Sequence, residues 1–149
     1  MAGAFATDAR DPHRRGRSVT PEAAQFLAKA RECLADAVLY QPLVPRIAGR
    51  EAYLAAFHAA EALVGERTGR FAKTHRGLRA QFNRIAKDEP GIDQTLSEFL
   101  GRAYELKSLA DYGTGAEAII SGTTATAAVE TATRFVDCIE ALLTVDRAA

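Results

Sequence analysis

From Thr20 to the C-terminus, apolar side chains recur three and four positions apart, and no stretch alternates with period two for long enough to build a strand. That periodicity admits helices and excludes sheets, so the chain is expected to be all-α. Punctuation divides it into five helices. Thr20, Pro21 and Glu22 form a start signal: a hydroxyl to cap free N–H groups, a proline suited to the first helical position and an acid at the positive end of the dipole. The first helix carries Phe26, Leu27, Ala30, Leu34, Ala37 and Val38 and stops before Pro42. The second runs from about Arg46 to Glu66, with Gly69 just beyond it. Its many alanines, Ala52, Ala55, Ala56, Ala59, Ala60 and Ala62, allow close approach of neighbours and predict a central helix. A short third helix is expected from about Thr74 to Lys87, burying Leu78, Phe82 and Ile85. The fourth runs from about Asp93 to Tyr112, between Pro90-Gly91 and Gly113, and the fifth follows Ser121-Gly122. The architecture implied is an up-and-down bundle of four long helices plus one short helix.

The 149 residues suffice for one core, and no run of about 18 apolar residues could span a bilayer. Residues 1–19, with arginines placed after a weak apolar patch, read as a disordered tail rather than a secretory signal, leaving 20–149 as the folded domain. Cys33 and Cys138 lie within separate apolar segments, as free buried thiols do, which suits a reducing cytoplasm.

Net charge is zero but unevenly spread. Residues 67 to 87 hold Arg67, Arg70, Lys73, Arg76, Arg79, Arg84 and Lys87 with no acid, whereas from Ala103 onward seven acids face three bases. Such a segment is either a solvated helix face or a platform for phosphates, with Arg70, Lys73, Arg76 and Arg79 the candidate contacts to nucleic acid or nucleotide. Only Phe71 and Phe82 interleave as stacking candidates.

Other constellations carry weaker chemistry. His58 and Glu61, at i and i+3, suggest either a hydrogen-bonded pair or half of a metal site, but the second Glu-x-x-His helix of a two-metal bundle is missing. Neither a phosphate loop nor a nucleophile elbow is present. No metal and no cofactor are expected. Arg70 and His75 have the composition of an RNA-cleaving pair, or simply mark the loop entering the third helix. Tyr104, Lys107 and Asp111 share a face of the fourth helix, where Lys107 and Asp111 can form an ordinary i, i+4 ion pair.

Taken in order, three segments are more specific than any one. They are Arg50 through Tyr53, Phe57, His58 and Glu61 to Leu63; Lys73, Thr74, His75, Gly77 and Leu78 with Phe82 and Asn83; and Tyr104, Glu105, Leu106, Lys107, Ala110, Asp111 and Tyr112. Together they resemble the HEPN domain family, in its small prokaryotic branch, over about residues 22 to 145. The resemblance implies a compact bundle that commonly forms homodimers. It also implies partnership with a nucleotidyltransferase in two-gene toxin–antitoxin or defence systems and, in several members, metal-independent ribonuclease activity. The family's nuclease pattern is an arginine, four to six intervening residues and then a histidine, on the fourth helix. Here Lys107 falls at the arginine position, and Ala110, Asp111 and Tyr112 stand where the histidine belongs. A carboxylate ionised at neutral pH is a poor substitute for imidazole. The expected function is therefore a binding module acting with such a partner on RNA or nucleotide phosphates. The alternatives are a ribonuclease with a diverged site built from Lys107, Asp111, Tyr112 and His75, and a purely structural homodimer.

Overall fold

A computed structural model describes residues 19–148, and the tail expected over 1–19 lies, except for Val19, outside the described residues. Five helices follow one another: α1 (Pro21–Tyr40), α2 (Pro45–Thr68), α3 (His75–Lys87), α4 (Gln94–Tyr112) and α5 (Gly122–Ala148). Among the described residues there is no strand. The ends are set by the expected chemistry. Thr20 accepts the Ala23 N–H, Thr74 that of Gly77 and Asp93 that of Leu96, so the residues expected to open α3 and α4 are in fact their N-caps. Pro45 takes the first position of α2, and Gly69 closes that helix with φ 76°, a left-handed conformation that glycine adopts without strain. A 3₁₀ turn, Gly115–Ala118, interrupts the loop between α4 and α5, and four residues are too few to announce it by periodicity.

The central position expected of α2 is what the structure shows: it packs on α1, α4, α5 and α3. Its alanines at 48, 52, 55, 56, 59, 60 and 62 are fully buried, so neighbouring backbones approach it closely. The larger side chains fill the space further out, with Phe82 of α3 stacked on Phe135 of α5 at 5.2 Å between ring centres and Phe99 of α4 at 6.4 Å from the same ring. Truncating a buried ring of this kind costs about 3 to 5 kcal/mol.

Polar clamps fix the register. Thr20 donates to Glu66 through its backbone N–H at 3.0 Å and its hydroxyl at 3.1 Å, tying the start of α1 to the end of α2. Gln41 donates to Thr126 at 3.0 Å, and Arg31 reaches Asp137 at 2.9 Å as well as Glu140. These place α5 antiparallel to α1. The contact of Arg50 with Asp111 likewise sets α4 antiparallel to α2. No helix among the described residues is long and apolar enough to cross a membrane.

Candidate nucleic-acid interface

The antiparallel register of α2 and α4 brings two helix faces together. On α2, Arg50, Tyr53 and Phe57 are spaced i, i+3 and i+7. On α4, Tyr104, Lys107 and Asp111 repeat that spacing in reverse. The loop after α2 then delivers His75, the first residue of α3, over the same seam. All three sequence segments therefore meet on one side of the bundle.

At one end of the seam Asp111 is held by two cations. Arg50 donates through Nε to Oδ1 at 2.9 Å, and Lys107 through Nζ to Oδ2 at 3.0 Å. The second arm of Arg50 reaches Glu51 at 2.8 Å. The hydrogen bond from Lys107 and that from Arg50 hold the Asp111 carboxyl below its ordinary pKa. With both oxygens engaged, Asp111 is an anion at neutral pH rather than a proton carrier. Lys107 also stands 5.6 Å from the centre of the Tyr112 ring, a cation–π contact on an otherwise exposed side chain.

At the other end is an aromatic group. The Tyr53 hydroxyl lies 2.8 Å from His75 Nδ1. Burial, followed by the neighbouring Tyr104 and Glu61, pushes the Tyr53 phenol up, so it keeps its proton. Burial and then the Arg79 charge push His75 down from its usual value, which favours the neutral ring at neutral pH. Tyr104 stacks on that ring at 4.1 Å and 19°, and Phe57 flanks it at 6.5 Å and 16°. The series of rings continues through His58, which lies edge-on to Phe57 at 5.7 Å, to Phe26 and Phe71. His58 itself donates Nδ1–H to Glu61 at 2.7 Å, the hydrogen-bonded pair of the two alternatives.

The candidate residues thus fall into separate groups. Lys107, Asp111 and Tyr112 are together, and His75 belongs to the tyrosine group, with no hydrogen bond or ion pair joining it to Asp111 among the described residues. Seven residues of helix, about 10 Å, separate Tyr104 from Asp111. In the basic segment Arg70, Lys73 and Arg76 are exposed and have no carboxylate partner among the described residues, as do Arg84 and Lys87. Arg67 instead pairs with Glu89 at 3.3 Å. Arg79 folds across to α4, where its guanidinium carbon lies 2.5 Å from the position a Cβ would occupy at Gly101.

Sequence reasoning missed Arg50, Tyr53 and Phe57 as members of the site. Their i, i+3, i+7 spacing was present, but nothing local showed that this stripe faces α4. The chemistry this arrangement supports is recognition: unpaired cations on α3 and its entry loop, beside a stack of half-buried rings.

A central alanine-rich helix, three long neighbours, a short basic helix and a polar seam between the second and fourth make an all-α bundle. The HEPN domain model matches residues 19–142, and the chain belongs to the HEPN family. This module often occurs in toxin–antitoxin or ribonuclease-like systems. No curated protein matches the chain.

Proposed function

We propose that this chain is a binding module of a two-gene toxin–antitoxin or defence system, working with a nucleotidyltransferase and holding the phosphates of RNA or a nucleotide on its basic segment. The observation that carries this is the contrast between two sets of cations. Arg50 and Lys107 on the α2–α4 seam are neutralised by Asp111 and Glu51, whereas Arg70, Lys73, Arg76, Arg84 and Lys87 have no acid to pair with among the described residues. Cations without partners on one short helix and its entry loop attract phosphates, and Phe57 and Tyr104 add stacking surface to the segment's own Phe71 and His75. The ribonuclease alternative is weakened at Asp111, whose closed ion-pair network and depressed pKa leave no acid or base for neutral pH.

Binding of a labelled single-stranded RNA, followed by fluorescence anisotropy over a salt series, tests this. Affinity is expected to fall with salt at a log–log slope of about −0.7 per phosphate neutralised. Lys73→Ala with Arg76→Ala is expected to reduce that slope by about 1 to 1.5. Salt-independent binding, or no binding of RNA or nucleotide at low salt, refutes the proposal. The partner is tested by co-expression with a nucleotidyltransferase encoded beside the gene, and absence of a complex removes that part.

A further inference from the structure

Beyond the charged segment, α4 presents two tyrosines that the fold leaves open. Tyr104 is 39% and Tyr112 77% exposed, and both border a shallow hollow of about 490 Å³ completed by Glu105, Ser108, Leu109 and Gly113. Each ring is supported by a neighbour. His75 lies parallel to Tyr104 at 4.1 Å and is itself fixed by the Tyr53 hydroxyl, while Lys107 stands against Tyr112. A ring held in one orientation with part of its surface in solvent is a preorganised stacking platform.

We propose that this hollow is a nucleobase subsite, with guanine its preferred occupant. Tyr104 supplies the stacking face. Glu105, exposed and without an ion-pair partner among the described residues, supplies the edge contact. A carboxylate offers acceptors only, side by side. Guanine alone among the four RNA bases presents two adjacent N–H donors on its pairing edge. Adenine and cytosine place a ring-nitrogen acceptor beside their amino group, and uracil flanks its single N–H with carbonyls, so each would set a lone pair against Glu105. Ser108, one turn beyond Tyr104, can donate or accept. The phosphates of the same ligand would lead toward Lys73 and Arg76, which flank His75 in the chain behind the Tyr104 ring. A base within a strand and a free nucleotide share this chemistry; the phosphate contacts of either form rest on the phosphate-binding proposal above, whereas the base contacts with Tyr104 and Glu105 do not.

The test has two arms. Calorimetric titration with guanosine monophosphate and with uridine monophosphate examines the free nucleotide, and anisotropy with labelled UUGUU and UUUUU examines the strand. Wild-type protein is expected to prefer the guanine ligand in at least one arm. Tyr104→Ala is expected to weaken it on the order of 5- to 100-fold without changing the salt slope, and Tyr104→Phe to bind like wild type. Glu105→Gln is expected to remove the preference for guanine over uracil while binding persists. Salt-dependent RNA binding that ignores base identity, Tyr104 and Glu105 overturns the subsite and leaves the phosphate surface intact. Guanosine monophosphate binding without strand binding supports the subsite with a free nucleotide as its ligand. Failure of both guanine ligands to bind overturns it. So does a loss of dimer mass in light scattering on Tyr104→Ala with no effect on either ligand, which would show that a second copy covers the hollow.

Discussion

Gly65 has no side chain because Phe71 occupies the space. A Cβ built there would have Cδ1, Cε1 and Cζ of the Phe71 ring within 2.5 Å, against the 3.4 Å or more of ordinary contact. The nearest ring atom would be only 1.9 Å away, so in Gly65→Ala the ring must shift well over an ångström or leave. Overpacking of this kind costs about 1 to 3 kcal/mol, while alanine within a helix gains about 0.5 to 1 kcal/mol over glycine. A net loss of about 1 to 2 kcal/mol is expected. If Phe71 swings out instead, its tilted contact with Phe26, 5.1 Å between ring centres, is lost with the rest of its burial, giving a loss of similar size. In a Phe71→Ala background the obstacle is gone, and Gly65→Ala should stabilise the protein by about 0.5 to 1 kcal/mol. The coupling between the sites is then about 2 kcal/mol, measurable by urea denaturation of the four proteins followed by circular dichroism. A Gly65→Ala effect equal within about 0.5 kcal/mol in the two backgrounds would refute the reasoning. The consequence reaches the site, since Phe71 anchors the loop that delivers Lys73 and His75.

Three further outcomes are expected. Because His75 has its pKa lowered by burial and by Arg79, the unfolded chain takes up a proton near pH 6.5 that the native ring resists; stability is intact above that pH and falls as pH drops below it, and His75→Gln should flatten this part of a stability–pH curve. An unchanged curve would place the titrating group elsewhere. Asp111, with its pKa lowered by Lys107 and Arg50, contributes stability that is fully present above about pH 4 and lost below it, so Asp111→Asn should be less stable at pH 7 and show a smaller difference from wild type at pH 2 to 3. Equal stabilities at pH 7 would mean that the ion-pair network contributes nothing. Burial, followed by the Glu51 carboxylate, pushes the Cys33 thiol up to about 11, so it should resist alkylation at pH 8 until the protein is unfolded; rapid labelling of the native protein in a Cys138→Ser variant would contradict this.

What the sequence made legible was whatever depends on near neighbours. Helix limits followed from Thr20, Pro42, the Pro90-Gly91 pair and Gly113, because caps and breakers act within one turn. The Lys107–Asp111 pair was legible as an i, i+4 contact and is present at 3.0 Å. Arg50, the second cation on Asp111, was not, because it lies 61 positions away and meets Asp111 only once α2 and α4 have chosen their register. The same holds for the tyrosine group: Tyr53, His75 and Tyr104 come from three helices, and no spacing within one helix relates them. Within the basic segment itself only Phe71 and Phe82 are aromatic carbocycles. There Phe82 is buried in the core, as its helical position requires, and Phe57 and Tyr104 arrive from elsewhere.

The zero net charge of the chain follows the same division between local and distant effects. Several acids outside the basic segment are matched to cations from elsewhere in the bundle: Asp111 to Arg50, Asp137 and Glu140 to Arg31, and Asp93 to Arg134 at 3.3 Å. Each such match joins two helices and leaves little field beyond the local pair. The complementary faces suggested by the charge asymmetry are therefore met in part within the bundle itself. Since the segment from Arg70 to Lys87 contains no acid, and most of its cations receive none from other helices among the described residues, its field is not cancelled at short range. A neutral protein can in this way present a locally positive surface whose reach is set by the Debye length, about 8 Å at physiological ionic strength. An incoming strand would then be attracted only when it is already near α3, which places the cations beside the rings that could hold its bases and makes selectivity depend on those rings rather than on long-range steering.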